Sequence, residues 1–97
     1  MKTMPPIHPG EILRTEFMEP LGVSQNRLAL GTGIPVSRIN AIVQGKRAIS
    51  ADSALRFGRY FGTSPELWLG LQMDFDLETQ RDLLADRLDR VVRPLTG

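Results

Sequence analysis

The chain reads as an all-α protein of five to six short helices in a single domain, 1–97. Three observations predict this. Apolar residues recur at helical spacing, and no stretch alternates as a strand would. Ser, Pro and Gly fall where helices start and stop. The 97 residues suit one core and leave little for a second. A hydrophobic content of 41% can fill that core and argues against a chain disordered throughout.

The elements follow in order. Pro9 suits the first turn of a helix and Glu11 its positive end. Ile12, Leu13, Glu16 and Phe17 share a mostly apolar face, and Pro20 is expected to stop the helix. Ser24 can cap a second helix from Gln25 to about Gly31, with Leu28 and Ala29 inward. Thr32-Gly33-Ile34 is long enough only for a tight turn, with Gly33 left-handed. Pro35 opens a third helix to about Val43 or Gln44, burying Ile39 and Ile42, and Gly45 follows as its terminator. Ser50 caps a fourth, in which Ala54, Phe57, Gly58 and Phe61 form one stripe before Gly62. Ser64-Pro65-Glu66 starts a fifth, carrying Trp68, Leu69, Leu71, Gln72 and Phe75. A last amphipathic helix is expected from about Leu77 to Val92. Its Leu77, Leu84, Leu88 and Val91 lie near one face, with Asp86–Arg90 and Asp89–Arg93 as i,i+4 pairs.

The net charge of +1 hides a division. Residues 24–62 set Arg27, Arg38, Lys46, Arg47, Arg56 and Arg59 against Asp52 alone, a surplus of five. The segments on either side are acidic, by one charge and three. A basic middle between acidic ends fits a polyanion bound by the middle only, although such charges can also simply solvate helices.

Position decides between these readings. Helix two, the Gly33 turn and helix three have helix-turn-helix proportions over about 24–44. The outward side of helix three carries Val36, Ser37, Arg38, Asn40, Ala41 and Gln44, behind Pro35. A helix of this kind enters the major groove and reads base edges with its N-terminal half. Arg suits guanine, and Asn or Gln suits adenine. Gln25, at the start of helix two, is placed for a phosphate, as are Lys46 and Arg47 after helix three.

Other chemistry is poorly supported. No Cys is present, so neither a disulfide nor a cysteine metal site can form, which suits a reducing cytoplasm. His8 is the only histidine and lacks a second ligand. Asp74-x-Asp76 is two carboxylates, short of a cation site. Gly31-Thr32-Gly33 lacks the strand and Gly-Lys pair of a phosphate loop. Ser24, Ser50 and Ser64 read as caps. No catalytic constellation, metal or cofactor is expected, and no membrane partner. No apolar run is long enough to span a bilayer, and MKTMPPIHPG lacks the features of a secretory signal.

The spacing Ser24-Gln25-x-x-Leu28-Ala29-x-x-x-Gly33-Ile34-Pro35-x-Ser37-x-Ile39-x-x-Ile42-x-x-Gly45-Lys46 resembles the lambda-repressor-like, Xre/Cro-type helix-turn-helix family. Three further stretches resemble its HigA antitoxin subfamily, once called virulence-associated protein I. These are His8-Pro9-Gly10-Glu11-Ile12-Leu13, Gly45-Lys46-Arg47-x-Ile49-Ser50-x-Asp52-x-Ala54, and Phe61-Gly62-x-Ser64-x-x-x-Trp68-Leu69-x-Leu71-Gln72-x-x-x-Asp76-Leu77. Together they span about residues 8–78. The resemblance implies a cytoplasmic homodimer that represses its own operon on double-stranded operator DNA. It also implies a HigB-type toxin partner, an mRNA endonuclease. The DNA-facing positions it implies are Gln25, Pro35, Val36, Ser37, Arg38, Ala41, Lys46 and Arg47. Xre-type members often have glutamines where this chain has Val36 and Ser37, so the operator sequence does not transfer.

The dimer contact is expected in the C-terminal segment, about 64–93, through Trp68, Leu71, Phe75, Leu84 and Leu88. For Trp68 and Phe75 a simple core is the somewhat stronger alternative, and the last helix can pack equally well on its own domain or on a second subunit. The toxin is expected on Glu11, Glu16 and Glu19, because a basic partner favours an acidic face. A stand-alone repressor and a protein-binding adaptor on the same scaffold are the alternatives.

Overall fold

The computed structural model describes residues 5–96, which are helical and contain no strand. The first helical run has three parts: α1 (Pro9–Ile12), a π-helical stretch (Leu13–Met18) and α2 (Glu19–Leu21). Pro20 therefore does not stop the helix; it lies inside it. The wider π turn, in which the Glu19 N–H reaches back five residues to the Arg14 carbonyl, relieves the crowding a proline ring imposes on an α-helix. The run ends at Gly22, left-handed at φ 65°.

Helix α3 (Gln25–Thr32) is capped by Ser24, whose hydroxyl accepts from the Arg27 N–H at 3.1 Å. Gly33, at φ 73°, makes the turn. Helix α4 (Val36–Val43) begins one residue later than expected, because Pro35 sits outside it in extended conformation as the N-cap. Helix α5 (Ala51–Phe61) and helix α6 (Pro65–Leu84) are capped by Ser50 and Ser64. Helix α7 (Arg87–Val91) follows a break at Ala85, whose φ is 40°.

The core joins Leu13, Met18, Leu28, Ile34, Ile39, Ile42, Ile49, Phe57 and Trp68. Trp68 is fully buried, and its ring meets Phe17, Phe57 and Phe61 at centroid distances of 4.8, 5.3 and 6.0 Å. Its indole N–H donates to Thr63 Oγ1 at 2.9 Å. This corrects its assignment to a dimer contact: a side chain with no accessible surface inside one subunit has nothing to offer a second.

Helix α6 runs unbroken for 20 residues, where two helices were expected. Nothing between Phe75 and Leu77 is a helix breaker, so the 3.6-residue pattern continues through the acidic stretch. Its first half packs on α5 and α1, burying Trp68 and Gln72. Its second half projects, giving a molecule 52 × 27 × 21 Å with a radius of gyration of 16.3 Å. A compact chain of this length would have about 13 Å. Leu77, Leu83, Leu88, Val91 and Val92 are exposed along this arm, and Ala85 divides the expected stripe in two. Arg90 and Asp86 pair at 3.6 Å, whereas Arg93 lies past the end of α7.

Candidate nucleic-acid interface

The α3–turn–α4 unit is tied together at both ends. At the turn, Thr32 Oγ1 donates to the Leu28 carbonyl at 2.7 Å and accepts from the Ile34 N–H at 3.2 Å. Arg56, on α5, donates through Nη1 to the Thr32 carbonyl at 2.9 Å while its Nε holds Asp52 at 2.7 Å. Arg56 therefore caps the C-terminal end of α3, and one charge of the basic middle has an architectural role. On the solvent side, Asn40 Nδ2 donates to Gln25 Oε1 at 3.1 Å, linking the start of α3 to the middle of α4.

Burying Ile39 and Ile42 turns the opposite side of α4 outward. Pro35, Val36, Ser37, Asn40 and Gln44 are exposed there, as expected. Gln25, Arg38 and Ala41 are half-buried. Ala41 lies on the flank of α4, where its carbonyl accepts the Lys46 N–H at 2.8 Å. The Arg38 Nε is buried without a hydrogen bond in the chain, and no carboxylate among the described residues pairs with it. Its stem is thus packed while its charge remains unneutralised, which restricts the rotamers a partner would otherwise have to freeze.

The end of α4 launches Lys46 and Arg47. Gly45 is left-handed at φ 75°, and its N–H reaches the Ile42 carbonyl at 3.0 Å. This closes the helix and leaves Lys46 and Arg47 exposed. Gly10 presses on the same turn from α1: a Cβ there would overlap the Ile42 carbonyl oxygen. The His-Pro-Gly sequence is therefore a backbone-to-backbone contact under the end of α4.

His8 caps α1, its Nδ1 accepting the Gly10 N–H at 2.9 Å. Its ring meets Phe75 edge-on at 4.8 Å and lies beside Gly45. Burial lowers the His8 pKa below its usual 6.5, while the Asp76 carboxylate pulls it upward. The fold thus favours the neutral imidazole, which can accept at Nδ1. The corresponding stability is complete above the unfolded pKa of 6.5 and is lost as pH falls toward the lower folded value. Melting temperature should decline as pH falls below about 6.5, and His8→Asn, which keeps a capping acceptor, should flatten that decline. Parallel profiles for the two proteins would remove His8 as the cause.

Gln72 is buried on α6, accepting the Ile49 N–H at 2.8 Å and donating to Asp76 Oδ1 at 3.0 Å. Sequence reasoning gave no role to His8, Gln72 or Arg56. The available signal was Gln72 itself, a polar residue four positions from Trp68 on an otherwise apolar face. Asp76 is engaged with Gln72, and among the described residues no group of three or more acids or histidines is placed to hold a metal. Glu11, Glu16 and Glu19 are exposed on the first helical run, Glu19 in an ion pair with Arg14 at 2.7 Å.

Comparison with known proteins agrees with this architecture. The helix-turn-helix family model matches residues 16–68. Virulence-associated protein I of Dichelobacter nodosus is 51% identical over 75 residues, covering 77% of this chain and 69% of that protein. Antitoxin HigA-1 of Vibrio cholerae is 30% identical over 90 residues, covering 93% and 84%. The solved structure of Pseudomonas aeruginosa antitoxin HigA with the higBA promoter superimposes with a TM-score of 0.88 at 41% identity, covering 93% of this chain and 98% of that one. The fold and its exposed, uncompensated α4 define a helix-turn-helix protein. The chain belongs to the Xre-like branch of that family that holds the HigA antitoxins and virulence-associated protein I. No helix among the described residues is long and apolar enough to cross a membrane.

Proposed function

We propose that this chain is a DNA-binding repressor of its own operon and the antitoxin of a HigB-type, mRNA-cleaving toxin. The observation that carries the DNA reading is the outer face of α4 with the loop behind it. Arg38, Lys46 and Arg47 stand there without a carboxylate partner among the described residues, beside the short polar Ser37 and Asn40. The similar Pseudomonas aeruginosa HigA, solved with its promoter, supports the same use of the same fold. Val36, Ser37 and Arg38, on the first turn of α4, read base edges; Gln25, Lys46 and Arg47 hold phosphates. Asn40 keeps its second amide N–H and its Oδ1 for a base while Gln25 holds the first.

The protein works in the cytoplasm as a homodimer that sets two α4 helices about 34 Å apart on a pseudo-palindrome. The exposed α6–α7 arm supports the dimer through Leu84 and Leu88, with the half-buried Leu71 and Phe75 at its base on the packed half of α6. Glu11, Glu16 and Glu19, on the π-containing first run, take the basic toxin.

Arg38→Ala tests base readout. Operator binding should weaken by about 1–3 kcal/mol with relaxed discrimination at one base pair. An unchanged operator titration would remove Arg38 from the reading.

A further inference from the structure

Helix α6 holds both ends of the loop that carries Lys46 and Arg47. At the far end, the Gln72 carboxamide accepts the Ile49 N–H at 2.8 Å and is itself oriented by Asp76 at 3.0 Å. At the near end, Phe75 meets the edge of His8, and His8 lies beside Gly45, the left-handed residue that begins the loop. Gln72, Phe75 and Asp76 are i, i+3 and i+4, neighbours on one face of α6. The Ile49 side chain is buried with its amide, so the loop is pinned by a core residue and a core hydrogen bond together. Lys46 and Arg47 project from a segment fixed at either side before any ligand arrives.

We propose that Gln72, supported by Asp76 and by the Phe75–His8 contact, is a positioning residue for DNA binding: it pre-organises the Lys46–Arg47 loop for phosphate. The inference rests on the phosphate role given above to Lys46 and Arg47. Gln72 touches no ligand. It spares the complex the entropy of ordering the loop, and a buried N–H left without its acceptor would drive the loop away from this position.

The test is a double-mutant cycle on operator affinity in the full chain, with Gln72→Met as the volume-conserving loss of the acceptor. In the parent, Q72M should weaken operator binding roughly tenfold. In a K46A/R47A background the same change should alter affinity less than about twofold, because both act through one contact. Equal losses in both backgrounds, the signature of general destabilisation, would overturn the proposal, as would no loss in the parent. Parent-like binding by K46A/R47A would overturn the phosphate role itself, a separate failure. Amide hydrogen exchange on the unmodified, DNA-free protein gives an independent readout should Q72M fold poorly. Ile49 should exchange as slowly as Ile39 in α4; fast exchange that slows only when operator is added would mean the loop is ordered by DNA and not by Gln72.

Discussion

Gly10→Ala is expected to remove about 3 kcal/mol or more of stability, at the upper end for an overpacked core. A Cβ at this position would overlap the Ile42 carbonyl oxygen, a backbone atom at the C-terminal turn of α4. Neither side can give easily. Ile42 is fully buried and its carbonyl accepts the Gly45 N–H, while Gly10 is tied to the His8 cap. The methyl must therefore lift α1 from α4. For a domain of this size, that loss lowers the melting temperature by more than about 10 °C. It should also weaken operator binding even at temperatures where the variant is folded, because the displaced turn carries Lys46 and Arg47. A melting temperature within about 3 °C of the parent would show that the α1–α4 contact yields more readily than its geometry implies.

The second large effect concerns salt. Each phosphate contact contributes about −0.9 to the slope of log affinity against log salt. Replacing Lys46 and Arg47 together by Ala should make that slope shallower by about two units. It should weaken operator and unrelated DNA by the same factor, since phosphates carry no sequence. The pattern differs from that of Arg38→Ala, which should change discrimination at one base pair. If K46A/R47A kept the parent slope, the loop would not lie on the backbone, and the basic middle of the chain would need another explanation.

Much of this architecture was legible in the sequence because its signals are local. Ser24, Ser50 and Ser64 cap the helices they precede, and Gly33, Gly45 and Gly62 are left-handed, as their positions at helix ends suggested, whereas the first run passes Pro20 and ends at Gly22. The spacing of Ile39 and Ile42 settled which side of α4 faces out. What escaped depends on contacts distant in sequence. The π turn before Pro20 is a geometric accommodation that spacing does not encode. Trp68 was assigned to an interface because an aromatic residue at helical spacing looks alike in a core and on a surface; only the closure of Phe17, Phe57 and Phe61 around it decides. Arg56 counted as one more positive charge until its hydrogen bond to Thr32, 24 residues away, gave it a place. Gln72 needed the approach of Ile49, 23 residues earlier. His8 caps through a ring nitrogen, whereas Ser, Thr, Asp and Asn are the usual capping types.

The same contacts give the division of charge a structural meaning. Of the basic middle, Arg56 is committed to Asp52 and the end of α3, while Arg38, Lys46 and Arg47 have no carboxylate partner among the described residues. A nearly neutral chain thus presents a small oriented cationic patch on a rigid support. Such a patch favours orientation over bulk attraction and makes specificity the quantity to measure.

That quantity is read most directly by titrating the full chain, at about 0.15 M salt, against a duplex from the promoter of its own gene and against a scrambled duplex of equal length. Binding to the promoter duplex should be saturable and at least about a thousandfold tighter than to the scrambled one. Arg38→Ala should narrow the gap. Equal affinity for the two duplexes, or no binding to either, would rule out sequence-specific operator binding by α4.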